Sequence, residues 1–369
     1  MVEVEDFIVE KGGKKFIDIV KALPKELGNG KKIVCKDLPN NRVEMYIKKA
    51  PGKAGHDSKK FILNRLIELD ELFFEGLGLW QAEGGKTKGI YFGNSCTELL
   101  LHFLKFVEQK LGLTRKMFRV TVNSPNLNKL ESEINKWWSE KLKIPLDNFT
   151  HVCYDTRINQ EYAQVYINGI AVLEVMKNLH EKLKNIVVST TNFTISYLKG
   201  IIAGEGQVAL RRSGTISHVS IASSNLKDVV FYKKCLAVLD IKSGKYMKNG
   251  RKFPIYGRKN LEKVKSLGLI NLHSEKRLKF ENGLRNYKRN VMKGEKVEIL
   301  ILKLLLTGPK TYDEISSSLR KGRSTIQSHC IPILERKGLI KRIGKRRAAW
   351  LFSLTKDGIK FLKVKRAPP

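Results

Sequence analysis

The sequence predicts an α+β fold in which one unit is written twice in a single chain, with a small helical module behind it. Three observations carry that expectation. Two short stretches echo each other: GLGLWQAEG, Gly76 to Gly84, and LKGIIAGEG, Leu198 to Gly206. Aligned, they share Gly78 with Gly200, Leu79 with Ile201, Glu83 with Glu205, and Gly84 with Gly206. Each closes a helical pattern that is followed by strands, a helix, further strands and a helix. A repeat of about 120 residues is too long for a solenoid, so it reads as a paired α+β architecture. The third observation is a change of pattern near residue 293, where short helices and a basic hairpin begin.

Residues 1–66 mix short apolar pieces with Gly, Pro, Asn and Lys, consistent with short strands or one small helix. They form a basic N-terminal extension, suited to a phosphate backbone or to a solvated surface. The first repeat unit spans 67–190. Asp70 can cap a helix through LFFEGLGLWQA, and Gly84-Gly85 stops it. KTKGIYFGNS reads as a strand, and helices follow over 97–111 and 129–142. Strands FRVTV, THVCYDTR and EYAQVYING and a helix over 170–183 complete the unit.

The second unit, with its linker, spans 191–292. A helix ends at Glu205, QVALRR and TISHVSIASS form a hairpin about Ser213-Gly214, and LKDVVFYKKCLAVL is a helix. A basic strand or loop, GKYMKNGRKFPIYGRKN, precedes the helix LEKVKSLG, and residues 273–290 read as a charged linker or helix. In the module over 293–369, VEILILKLLLTG is a helix. Thr311 with Glu314, and Ser324 with Gln327, are capping-box pairs opening two more. IKRIGKRRAAWLFSL is a two-stranded wing with Gly344 to Arg347 at its tip, and a last helix starts near Lys356.

Composition narrows the partners. The 369 residues hold 70 Lys plus Arg against 36 Asp plus Glu, a net charge of +34. That excess points to a polyanion, most often nucleic acid. No run of 18 apolar residues suggests a membrane span, and MVEVEDFIVEKGG lacks the order of a signal peptide. The five cysteines are scattered without a CxxC pair, so neither disulfides nor a zinc cluster is expected, and the protein reads as reduced and cytoplasmic.

The paired motifs carry the chemistry. Residues four apart share a helix face, so Gly78 with Ala82, and Gly200 with Gly204, give each helix a small-residue stripe along which two backbones can approach. Packing along those stripes brings Glu83 and Glu205 together. Both stand at helix C-termini, where a cation is favoured. Mg²⁺ (or Mn²⁺) would relieve their repulsion, and a metal between carboxylate and phosphate can activate water.

These motifs resemble those of the LAGLIDADG family, best known as homing endonucleases and found also in intron maturases and some regulators. The resemblance covers roughly residues 67–270. It implies a pseudo-two-fold pair of αββαββα halves whose antiparallel sheets form a saddle on DNA. It also implies that Glu83 and Glu205 bind metal and catalyse cleavage of both strands. The sequence departs from the pattern at Gln81 and Ala203, where the family often has an acid. It departs again at Asn94, Ser95, Ser223 and Ser224, where many relatives place a Lys or Gln. Lys252, Arg258 and Lys259 are candidates for the missing cation. Candidate DNA contacts in the saddle are Lys86, Lys88, Tyr91, Arg211, Arg212 and His218.

The last module resembles a winged helix-turn-helix. Ile326, Cys330, Ile333 and Leu334 would form the buried face of its third helix. Arg323, Thr325, Gln327 and Ser328 would be left to meet base edges, and Lys345, Arg346 and Arg347 would meet phosphate. The leading expectation is a monomeric, metal-dependent, site-specific double-strand DNA endonuclease of the homing type. The alternatives are a non-cleaving DNA-binding regulator of the same fold, or a maturase bound to structured intron RNA.

Overall fold

Val43, Met45 and Ile47 alternate with Arg42, Glu44, Tyr46 and Lys48, a period of two that buries one face of a strand and leaves the other open. The computed structural model describes residues 6–27, 30–52, 55–212, 214–247, 250–287, 294–319, 321–346 and 348–364. They divide into two compact units, Met1–Tyr287 and Lys288–Pro369.

The first unit opens with β1 (Ile8–Lys11), β2 (Lys14–Asp18), a short α1 (Ile19–Ala22), β3 (Glu26–Leu27), β4 (Lys31–Leu38), β5 (Arg42–Lys48), β6 (Phe61–Asn64) and β7 (Leu66–Glu68). They build two antiparallel sheets, β1-β2-β7 and β3-β4-β5-β6. Asn40 and Asn41 take positive φ in the β4–β5 turn, a conformation asparagine tolerates. Ile17, Val43, Met45, Phe61 and Leu63 join the same core as the first motif helix. The described residues of the N-terminal extension therefore form sheets packed on the body of the unit.

The first motif helix, α2 (Glu71–Glu83), starts where Asp70 accepts the backbone N–H of Phe73 at 2.9 Å. Residues Phe73 to Gln81 are all buried, because other elements surround this helix. After it come β8 (Gly84–Gly85), β9 (Gly89–Asn94), α3 (Thr97–Phe106), β10 (Arg119–Ser124), α4 (Glu131–Leu142), β11 (Phe149–Tyr154), β12 (Tyr162–Asn168) and α5 (Ile170–Ser189). The sheet order is β11-β10-β12-β9-β8. β10 and β11 pair in parallel. This corrects the purely antiparallel saddle expected for this half. The intervening α4 provides the crossover that a parallel pair needs.

The second motif helix, α6 (Thr191–Glu205), leads to β13 (Gly206–Leu210), β14 (Ile216–Ala222), α7 (Leu226–Val238), β15 (Lys252–Ile255), α8 (Arg258–Ser266) and α9 (Ser274–Arg285). Its antiparallel sheet is β13-β14-β15. Where a fourth strand would lie, the described residues show only bridges, Ser243 to Ile255 and Met247 to Lys252. The two halves are thus unequal. α9 was legible only as a linker or helix. Phe280 buries it, and Gly283 lets it press onto Leu210 and Ile216.

The second unit holds α10 (Gly294–Leu305), β16 (Lys310–Thr311), α11 (Tyr312–Leu319), α12 (Arg323–Thr325), α13 (Ile331–Arg336), β17 (Ile340–Arg346), β18 (Ala349–Leu354) and α14 (Lys356–Val364), with sheet order β16-β18-β17. The Thr311–Glu314 box is present: the Thr311 N–H donates to Glu314 Oε2 at 2.7 Å, and the Glu314 N–H to Thr311 Oγ1 at 3.3 Å. The Ser324–Gln327 box is not; α12 starts after Gly322 without a side-chain cap. A π turn over Ile326–Cys330 adds a residue to the helical path. It moves the buried face from the expected Cys330 and Ile333 to Ile331, between the fully buried Ile326 and Leu334. Gly344 lies at a bulge within β17 rather than at the tip, and the pairing runs on to Arg346 with Ala349. Among the described residues no helix is long and apolar enough to cross a membrane.

Candidate functional site: the motif-helix junction and its sheet faces

α2 and α6 pack backbone to backbone. A β-carbon built on Gly78 would lie 2.4 Å from the Tyr197 carbonyl oxygen, and one on Gly200 2.3 Å from that of Glu75. Further along, a β-carbon on Gly204 would lie 2.5 Å from Ala82 Cβ and 2.9 Å from Glu83 Cγ. The four small residues picked out in sequence therefore all lie in this seam, and the seam carries Glu83 to the foot of α6.

Gln81 stands where an acid was expected. Its amide donates to Asp228 Oδ2 of α7 at 2.7 Å, a buried link between the halves. Ala203 is buried and apolar. A second buried cluster ties the helices at their other end. Glu75 faces Lys199 Nζ at 3.1 Å and His102 Nε2 at 3.0 Å, and Lys199 also pairs with Glu71. Burial pushes the Glu75 carboxyl up, but His102 and Lys199 together outweigh it and hold it below the usual range.

At the junction, burial raises the Glu205 carboxyl to about 7, with the nearby Glu83 charge adding to the effect. Glu83 opens to solvent, yet enough protein surrounds its carboxyl for desolvation to raise it as well. Two lysines answer these acids. Lys276, from α9, donates its ammonium to the carbonyl oxygens of Ala203 at 2.6 Å and Gly204 at 2.8 Å, the last turn of α6. Lys86 donates to the Gln81 carbonyl at 2.8 Å, the last turn of α2, and its ammonium lies 5.7 Å from the Trp80 ring centre. Burial lowers the Lys276 ammonium to about 8 against the pull of Glu83 and Glu205. Lys86 is lowered by burial too, against Asp228 and Glu205. Each motif helix thus ends on a lysine at its negative pole.

Lys276 was missed in sequence because it lay in the stretch read only as a charged linker or helix. Its signal was the i, i+4 spacing to Phe280, which turns both toward the body of the unit. The residues expected to supply the missing cation stand elsewhere. Lys252 donates to Gln207 Oε1 at 2.7 Å. Arg258 and Lys259 begin α8 rather than end a strand, and Arg258 pairs with Glu262. Asn94 accepts the N–H of Cys96, and Ser95 accepts from Gln160. Ser223 and Ser224 line a hollow of about 390 Å³ with Glu205, Lys86 and Asp228.

Do these residues fit a divalent cation? The donor set is two carboxylates, one of them raised to about 7, with two ammonium groups already in their field. Among the described residues no group of three or more His, Cys, Asp or Glu is placed to hold a metal. The set suits the lysines better than Mg²⁺, which favours several hard oxygens with full negative charge.

The sheets beside the junction have open faces. On the first, Tyr166 and Tyr91 pair across β12 and β9, and with Lys88, Thr121, Gln164 and Asn168 they line a hollow of about 370 Å³. Burial holds the Tyr91 hydroxyl up at about 12, so it remains a donor. On the second, Gln207 faces Ser220, Ala209 faces His218, and Ala222 faces Lys252. Arg211 and Arg212 are exposed at the β13–β14 turn. In the second unit Arg323, Thr325, Gln327 and Ser328 are exposed. Lys345 lies 4.8 Å from the Trp350 ring centre, and Arg346 pairs with Glu314 at 3.0 Å. Arg347 lies outside the described residues.

Two glycine-seamed helices, each ending on an acid and running straight into a sheet, make this a mixed α+β fold. No family model and no curated protein matches the chain. Among solved structures it is similar to the N-terminal LAGLIDADG domain of DUF199/WhiA, at 14% identity and a TM-score of 0.32, over 60% of this chain and 85% of that one. It is also similar to full-length DUF199/WhiA from Thermatoga maritima, at 14% identity and a TM-score of 0.33, over 72% of this chain and 92% of that one. The endonuclease expectation is corrected here. The two structures named above are of DUF199/WhiA, and neither is described as an endonuclease. The carboxylate pair that was to work as a catalytic centre stands among lysine ammonium groups, with Glu205 raised toward neutrality.

Proposed function

We propose that this chain is a non-cleaving DNA-binding regulator of LAGLIDADG fold. In this reading the helix seam is a pseudo-two-fold axis, and the open sheet faces lie on duplex DNA. The second unit is a winged helix-turn-helix that extends the contact, with the exposed Arg323, Thr325 and Gln327 toward base edges and Lys345 and Arg346 toward phosphate. The observation that carries the reading is the lysine capping of both motif helices beside polar, aromatic sheet faces, in a chain of net charge +34. The chain acts as a monomer, since both halves are present in it.

Selection from a randomised duplex library, followed by gel shift with and without EDTA, tests this. The expected result is a selected sequence bound equally well in both, and a supercoiled plasmid left intact after incubation with Mg²⁺. Tighter binding to structured RNA than to any selected duplex would overturn it in favour of the maturase alternative.

A further inference from the structure

We infer that Lys86 and Lys276 are the resident cations of the motif-helix junction, and that they close it to divalent metal. The geometry is specific. Lys276 reaches from α9 onto two carbonyl oxygens of the last turn of α6, at 2.6 and 2.8 Å, with a third, that of Ile202, at 3.4 Å. Lys86 reaches back from the residues after β8 onto the last turn of α2 at 2.8 Å. The two lysines come from unrelated places in the chain, yet they do the same thing at the two helix C-termini that meet at the foot of the seam.

A helix C-terminus leaves carbonyl groups without partners and carries partial negative charge. Two such ends side by side, each with a glutamate, concentrate negative charge in a half-buried place. Something positive has to be there for the seam to close. A hydrated divalent ion can supply two charges. Two ammonium groups supply the same charge, together with hydrogen bonds to the carbonyls, and they are part of the chain. With both carboxylates ionised, two glutamates against two lysines is a neutral set. A metal entering it would have to displace an ammonium into a site where the lysines and the metal repel each other. The arrangement also makes α9 a strap: Lys276 fastens the last helix of the first unit to the foot of α6, and Phe280 and Gly283 hold its body on β13 and β14.

The inference concerns metal, not nucleic acid, so it is tested without any. Mn²⁺ is titrated into the full-length chain and the free ion is followed by electron paramagnetic resonance. The wild type is expected to leave Mn²⁺ free. The Lys86→Met, Lys276→Met double variant, which keeps the apolar stems and removes the charges, is expected to bind it at least about tenfold more tightly. Adding Glu83→Gln and Glu205→Gln should abolish that uptake, and Lys276→Arg alone should behave as wild type. Mn²⁺ uptake by the wild type that is lost on Glu83→Gln and Glu205→Gln overturns the inference, as does a folded double variant that binds no more than wild type. Thermal unfolding of the wild type with and without Mg²⁺ needs no lysine variant: an unchanged midpoint supports the lysine seal, and a rise that depends on Glu83 and Glu205 sinks it.

Discussion

Gly78 and Gly200 meet across the seam so closely that neither has room for a β-carbon. The nearest atoms to such carbons are backbone, at 2.4 Å for Gly78 and 2.3 Å for Gly200. Backbone in the middle of a helix cannot swing aside as a side chain can. The contact between these two residues sets how near α2 and α6 lie, and so where Glu83 and Glu205 end up.

Gly200→Ala should therefore cost about 3 kcal/mol or more of unfolding free energy, because the helices must separate along their length. Gly204→Ala meets Ala82 Cβ and Glu83 Cγ, the second of which can rotate, and should cost less. Urea denaturation of both variants checks the order. Equal, small losses would show that the seam is looser than the distances indicate.

Glu205 gives the protein a pH signature. Its folded value, about 7, lies above its ordinary 4.5, so the folded state binds the extra proton between those limits. Stability from this group is present below pH 4.5 and falls as pH rises toward and through 7. Glu205→Gln should remove that fall, a gain of about 2 kcal/mol at pH 8 after allowing for partial exposure. Denaturation curves for wild type and variant from pH 5 to 8 make the comparison. Parallel curves would exclude the effect.

The Lys199–Glu75 pair lies at the opposite end of the seam. Glu75 is only 5% exposed, so Lys199→Ala would leave a buried carboxylate with His102 as its remaining partner. A loss of about 3 kcal/mol at pH 7 is expected. Lys199→Ala, Glu75→Gln together should recover part of it, since the unpaired charge is gone. Full additivity in the double-mutant cycle would deny that the pair is coupled.

For DNA binding, Lys345→Ala with Arg346→Ala should weaken all duplex sequences alike. The slope of log K against log salt should become shallower by about 0.9 for each phosphate that the variant no longer neutralises. Gln327→Ala should instead narrow the gap between the selected and an unrelated duplex. Gel shifts at several salt concentrations separate the two. A sequence-dependent loss for the wing variant would reverse the assigned roles.

Much of this was legible in the chain. The two motif helices, the Asp70 cap, the β13–β14 hairpin and the Thr311–Glu314 box follow from local periodicity and capping chemistry, which depend on residues a few positions apart. Other features were not. The parallel β10–β11 pair needed knowledge of where α4 crosses. The π turn over Ile326–Cys330 moved a buried face by one residue, and no local pattern announces an inserted residue of that kind. The basic N-terminal stretch hid its Val43, Met45, Ile47 alternation among lysines.

By itself, the sequence determined that two glycine-bearing helices end in glutamate and that the chain is strongly cationic, since both are matters of residue identity and short-range spacing. Only the tertiary structure decided what faces those glutamates. Lys276 reaches the last turn of α6 from 72 positions further along the chain, and Lys86, five positions past the Gln81 carbonyl it caps, comes into the field of Glu205 only across the seam; electrostatics of that kind is set by folding, not by neighbours along the backbone.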